Sequence, residues 1–500
     1  MVTQANTDPK VTAELIQSAK TKYAWNAVRR IPLAAWVATQ HALGWSEQSQ
    51  HVDLWTRLIV GVGQSFFSGQ DGPVSIAELQ AMTLRPRNIP SKTWISKYTS
   101  LPPPEVGAVE AVMGAIRSMV RLDAEGVRLT STPDYVPVEA EWTAYRPDGP
   151  DGPQGPGLPA ISEKERYSEM MNDVAEPTTI LYLHGGGYMM LDPKSHRPFL
   201  KQLCKRSGGR GYSVRYRLSP QAVFPAALLD AFVSYLTLLY PPADAYHEPV
   251  KPEHIVLSGD SAGGNLVLSL LQLLLELQRK NVRVAWHGQE RDIPLPAGAA
   301  CNSPWLDVTH SLIPYGGDKP LKYDVTSLPV PETGWMTETR PDHIWPANPP
   351  RHNFYAQDHL VGHPLVSVLG TQAEDWAGSP PIYICTGWEH LGTESRIFAR
   401  RLATKAGVPL VFNDYEAMPH CFALIMPKTD TAEHCWNGWS GFIKRCVDGP
   451  TNIKARAIRI KAKTLLEEEI AFEQLVDMSD DEARAIFESQ KSPFKILPRL

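Results

Sequence analysis

His254–Leu277, HIVLSGDSAGGNLVLSLLQLLLEL, is the stretch that decides the fold. Its first six residues form an apolar run of strand length. From Ala262 onward the apolar run is too long for a strand and contains no proline, so it reads as a buried helix. Between the two lies Gly259-Asp260-Ser261-Ala262-Gly263, a turn of small residues. A strand that passes through such a turn into a helix holds the serine hydroxyl at the tip, with the helix N-terminus behind it. That setting turns a G-x-S-x-G match from a chance pentapeptide into a candidate nucleophile elbow, because the helix end favours negative charge developing there.

Outward from this unit the chain alternates strand and helix. TTILYLHG (178–185), GYSVRYR (211–217), PLPAGAACNSP (294–304), PPIYICTG (380–387) and LVFNDY (410–415) read as strands. Helices are expected over 195–207, from Pro225, from Ala262, over 393–406 and around 430–446. The alternation predicts an α/β fold, a mostly parallel sheet covered by helices on both faces. Upstream, 127–147 has the pattern of two edge strands in an antiparallel hairpin. DGPDGPQGPGLP (148–159) is too rich in Pro and Gly for either ladder. Residues 309–357 form an irregular excursion, and KARAIRIKAKTLLEEEIAFEQL (454–475) is helical in propensity. The resulting division is a helical N-terminal cap region (1–120), a catalytic domain (121–450) with the excursion adding to the cap, and a C-terminal helical extension (451–500).

Composition narrows the function classes. With 49 basic against 54 acidic residues in 500, and a net charge of −5, the chain has no nucleic-acid footprint. Cys204, Cys301, Cys385, Cys421, Cys435 and Cys446 form no CxxC pair, and reduced thiols are expected. There is no HExxH, and His352, His359 and His363 lack ligand spacing, so neither a metal nor a cofactor is expected. No run supplies the ~20 apolar residues that span a bilayer, and the opening residues lack the apolar core of a secretory signal. A cytoplasmic protein is the expectation. Residues 24–67, with Trp25, Trp36, Trp45, Trp55, Phe66 and Phe67, read as a packed lid over the site; the alternative is a peripheral membrane contact. Nothing in the sequence fixes an oligomeric state.

A second motif, His184-Gly185-Gly186-Gly187-Tyr188, closes the strand TTILYL. Consecutive glycines let backbone N–H groups converge on one point, as an acyl-transfer oxyanion requires. HGGGY, YRLSP with FPAALLDA, GDSAGGN and SPW, in this order over roughly 178–446, resemble the hormone-sensitive-lipase-like branch of the α/β-hydrolases. The resemblance implies that Gly186, Gly187 and Ala262 donate the oxyanion N–H groups. It also implies that His184 braces the glycine loop and that Asp260 orients it. Triad order in this fold is Ser, acid, His, which puts the base after the last core strand at His420, where the family's His-Gly-Phe is here His420-Cys421-Phe422. Aligning ARRL (399–402) and AGV (406–408) with the family places the acid at Glu389 in place of the usual Asp, with Glu394 and Asp414 as rivals. Tyr188 and Trp305 are expected to wall the pocket. The implied activity is that of a serine carboxylesterase acting on a small-molecule or lipid ester. Its rivals are an amidase or lactonase with the same triad, and a non-catalytic receptor on this fold.

Overall fold

Ten strands make one sheet in the order β1-β2-β4-β3-β5-β8-β9-β10-β11-β12. They are β1 Thr93–Ser100, β2 Val138–Tyr145, β3 Thr179–Leu183, β4 Arg210–Arg215, β5 Ile255–Asp260, β8 Gly298–Asn302, β9 Ile382–Thr386, β10 Leu410–Tyr415, β11 Arg456–Ile460 and β12 Glu467–Ile470; β6 Val284–Trp286 and β7 Gln289–Arg291 form a separate hairpin. This computed structural model describes residues 17, 25–67, 74–119, 132–149, 158–315, 317–325, 339–348 and 350–491. From β4 through β11 all neighbours are parallel, and only the outer strands β1, β2 and β12 run antiparallel to theirs. The central strands β3, β5, β8, β9 and β10 are buried along their whole length. This explains their near-continuous apolar runs, since both faces are covered.

One face carries the helices Gly107–Met119, Ala226–Leu239, Ala262–Arg279 and Gly392–Thr404; the other carries Pro193–Ser207 and Asp430–Asp448. Every residue of the elbow helix from Ala262 to Leu277 is buried. Its polar stripe, Asn265, Ser269, Gln272 and Glu276, is buried too and finds partners inside the protein, for instance by Gln272 Nε2 donating to Asp375 O at 2.9 Å.

Three expectations need correction. The partner of β2 is not a strand in 127–137 but β1, paired in antiparallel register from Thr93↔Tyr145 to Ser100↔Val138. Residues 132–137 are irregular, and 127–131 lie outside the described residues. The sheet thus begins upstream of residue 121, and TWISKYTS, rich in β-branched and aromatic side chains, belongs to it. The C-terminal segment is not a single helical extension: RAIRI adds β11 parallel to β10, and EEEI returns as β12, before a helix over Asp480–Lys491. Ala457, Ile458 and Ile460 are buried in β11, and that burial outweighs the helix propensity of the surrounding Lys and Glu. The glutamates of β12 leave the sheet edge charged, which discourages pairing with another chain.

The N-terminal helices Ile31–Ala42 and Leu54–Phe67 pack on each other through the buried Val37 and Val60, and Arg30 Nε donates to Ser65 Oγ at 2.6 Å. The expectation of packed aromatics fails here. Trp25, Trp36, Trp45 and Trp55 are 54–67% exposed, while the side chains of Phe66 and Phe67 lie outside the described residues. Among the described residues no helix is long and apolar enough to cross a membrane.

Candidate active site

β5 ends at Asp260 and the elbow helix begins at Ala262, leaving Ser261 at φ 53°, ψ −123°. An L-residue in that region is strained and is held there only by its surroundings. Here the Ser261 N–H donates to Asn302 O at 3.0 Å, and Ser261 O accepts from Trp305 and Asn265 at 3.0 and 3.1 Å. The elbow also demands small neighbours: a Cβ on Gly263 would lie 2.1 Å from Leu183 O.

β10 hands the chain to the loop 416–419 and then to His420, whose Nε2 stands 3.0 Å from Ser261 Oγ. Its Nδ1 makes a short hydrogen bond to Glu389 Oε2. Glu389, just past β9, is fully buried, and its Oε1 accepts from Ser303 Oγ at 2.6 Å, Thr386 Oγ1 at 2.6 Å and the Gly387 N–H at 3.1 Å. Burial alone would raise the pKa of this carboxyl, but the His420 imidazole and the Ser303 donor outweigh it and hold it below the usual range. Burial likewise pulls the His420 pKa down, and the Glu389 carboxylate on Nδ1 opposes that pull by favouring imidazolium. The geometry thus brings Ser261, His420 and Glu389 into one relay.

The rival acids are engaged elsewhere. Glu394 Oε1 accepts the Leu306 N–H at 2.5 Å, and burial beside Asp307 pushes its pKa well up. Asp414 is paired with Arg396 at 2.6 Å. Cys421 sits at φ 50°, in the left-handed region that glycine enters freely. This accounts for the glycine of the family pattern at that position.

In the glycine loop after β3, Gly186 turns at φ 113°, where a Cβ would lie 2.3 Å from Met190 O. Asp260 Oδ1 accepts the Gly185 N–H at 3.2 Å and the Tyr182 hydroxyl at 2.8 Å, so the loop is tied to the elbow residue beside the serine. His184 is buried and stacked on Tyr216 at 4.2 Å, with Nδ1 2.7 Å from Gly185 O. Burial lowers its pKa to about 3, so the ring is a neutral strut under the loop. Gly186, Gly187, Ser261 and His420 are half-buried while most of their flanking residues are buried, and the Gly185–Asp260 hydrogen bond ties the glycine loop to the residue before Ser261.

The expected pocket walls are placed differently. Tyr188 is fully buried, stacked on Tyr355 at 3.5 Å, and donates to Asn265 Oδ1 at 2.6 Å. Trp305 is also buried, with Nε1 donating to Asp307 O at 2.8 Å. Both support the glycine loop and elbow from behind. Three further residues were not singled out from sequence. Ser303 bridges Glu389 and the Cys421 N–H at 3.1 Å; its signal was the SPW motif, read without a role for the serine. His196 stands against Asp260 at 3.2 Å. Asp324 accepts the His420 N–H at 3.1 Å, from a segment with no sequence signal. All six cysteines are free and buried. Among the described residues no His, Cys, Asp and Glu cluster could hold a metal ion.

Residues 180–424 match the family model Abhydrolase_3, described as the alpha/beta hydrolase fold. An acetyl-hydrolase of Streptomyces hygroscopicus is 29% identical over 244 residues, 48% of this chain and 67% of that protein. Hormone-sensitive lipase of Mus musculus is 37% identical over 91 residues, 18% of this chain and 12% of the lipase. A solved esterase of the bacterial hormone-sensitive lipase family is 22% identical, covering 69% of this chain and 99% of its own, at a TM-score of 0.42.

Proposed function

We propose, for a chain that is an α/β-hydrolase of the hormone-sensitive-lipase-like type, that it is a serine carboxylesterase acting on small-molecule or lipid esters, with short acyl groups favoured. The observation that carries this reading is the relay Ser261 Oγ–His420–Glu389, with the glycine loop tied to the neighbouring Asp260. His420 Nε2 takes the proton as Ser261 Oγ bonds to the ester carbonyl carbon. N–H groups of Gly186, Gly187 and Ala262 are the intended partners of the oxyanion. As the tetrahedral intermediate collapses, the alcohol leaves with the proton held by His420. Water, deprotonated by the same imidazole, then releases the acid from the acyl-serine. Glu389 stays ionised throughout and holds the imidazole tautomer.

Ser303 enters this scheme through Glu389. Ser303→Ala removes one of the donors on the carboxylate and leaves the Cys421 N–H without its acceptor. Turnover of p-nitrophenyl acetate should fall about tenfold with KM little changed, and steady-state kinetics of the purified variant checks it.

Acyl preference is the finer question. Two elements contact the segments that carry the glycine loop and the base, and these contacts support a confined acyl site. Helix Ile76–Thr83 touches the glycine loop, with Gln80 Nε2 donating to Met189 O at 2.9 Å, and 318–325 touches the base loop through Asp324. Profiling p-nitrophenyl esters from acetate to palmitate should show turnover highest at the short end. The exposed tryptophans of 25–55 favour a second reading, in which that face contacts a lipid surface. Sedimentation with phosphatidylcholine vesicles accompanies the profile. Strong vesicle binding together with a palmitate preference would displace the short-acyl reading.

A further inference from the structure

Asp324 is a buried carboxylate that the relay leaves unused. It follows the short helix Asp318–Tyr323 in the excursion between β8 and β9. Its Oδ1 accepts the His420 backbone N–H at 3.1 Å; its Oδ2 accepts the His390 backbone N–H at 2.9 Å and lies 2.8 Å from His390 Nδ1. Because His390 adjoins Glu389, one carboxylate spans the loop carrying the base and the loop carrying the acid. Loops lack the ladder hydrogen bonds that fix strands, so such a bridge is what sets their spacing. The other side of the segment faces the N-terminal helices. Gln64 Nε2 donates to Leu321 O and Asp324 O at 2.9 and 2.8 Å, and Lys322 pairs with Glu47 at 2.7 Å. Tyr323 packs edge-on against His51 and Trp388, the residue before Glu389.

We propose that Asp324 is a positioning residue that fixes His420 and Glu389 relative to one another, and that the N-terminal helices contribute to turnover through it. This rests on the reading of Ser261, His420 and Glu389 as an ester-hydrolysing relay. The groups facing the His420 imidazole are Glu389 on Nδ1 and Ser261 and Cys421 on Nε2. Asp324 lies against its backbone and carries His390 on its far oxygen. Burial would raise the Asp324 pKa, but the His390 and His420 donors outweigh burial and keep it ionised. A second negative charge near the ring therefore favours imidazolium, and its removal moves the acid limb of reactivity to lower pH.

Asp324→Asn keeps the shape but removes the charge and leaves one oxygen to accept where two did. The test is the rate at which a fluorophosphonate labels Ser261 in the full chain as a function of pH, for wild type, Asp324→Asn and Gln64→Ala. At neutral pH Asp324→Asn should lower the maximal labelling rate about tenfold, with KI within about twofold of wild type, and its acid limb should move to lower pH. Gln64→Ala, which alters only the support, should lower the rate about twofold with the limb in place. A wild-type rate and limb in Asp324→Asn would overturn the proposal, as would a loss residing only in KI. Should Asp324→Asn not fold, an unaltered rate in Gln64→Ala overturns the link. A wild-type chain left unlabelled at Ser261 would instead overturn the esterase reading beneath it.

Discussion

Ser261→Ala is expected to lower turnover of p-nitrophenyl acetate by about 10⁶, the scale seen when a triad serine is removed, and to abolish labelling by a fluorophosphonate. His420 Nε2 then faces a methyl group, and no other described hydroxyl lies within hydrogen-bond reach of that nitrogen. The Ser261 side chain makes no capping bond to the elbow helix, so the fold should survive, as circular dichroism and melting would report. The strained backbone gives a finer check. Alanine inherits φ 53°, whereas glycine occupies it freely. Ser261→Gly should therefore be as inactive as the alanine variant and melt at a higher temperature. Near-wild-type hydrolysis by either purified variant would remove Ser261 from the mechanism.

Glu389→Gln carries the second large effect. The amide cannot accept from His420 Nδ1 and hold the charge that stabilises imidazolium, and loss of a triad carboxylate costs about 10⁴ in turnover. The sign of the pH effect follows. Glu389 is among the groups that hold the His420 pKa up, so the residual activity of Glu389→Gln should keep its acid limb to lower pH than wild type. Glu394→Gln is the control. Glu394 lies against the Leu306 backbone and not against His420, and a glutamine oxygen can still accept the Leu306 N–H. Its activity should stay within about tenfold of wild type. A reversal of this ranking in kcat would mean that the acid is Glu394.

What the sequence disclosed and what it hid have physical reasons. β3, β5, β8, β9 and β10 were legible because a strand covered on both faces must be apolar throughout and must end in turn residues. Ser261, Glu389 and His420, the proposed nucleophile, acid and base, stood out because each sits just past one of those strands. Glu389, although it departs from the usual Asp, lies three residues beyond β9. Edge elements were harder. β1 has strand propensity but no motif or alternating helix to tie it to the sheet across the 37 residues before β2, and β11 is surrounded by Lys and Glu, whose helix propensity pointed away from the pairing that burial rewards. Tyr188 and Trp305 were misplaced because an aromatic beside a motif reads alike whether it faces the site or the core. Asp324 was invisible: its partners His390 and His420 lie 66 and 96 residues away, and no periodicity encodes such a bridge.

The elbow serine and its base are 159 residues apart in the chain. At the ribosome's pace of 5–20 residues per second, His420 is made about 8–32 s after Ser261. β9, β10 and the excursion must also dock before the imidazole reaches the hydroxyl. On the proposed mechanism, a chain that ends before His420 therefore carries a serine with no base to activate it. By the same mechanism Ser261 becomes reactive only once β10 and His420 have joined the sheet, so a covalent inhibitor should label the folded chain and spare the shorter nascent one.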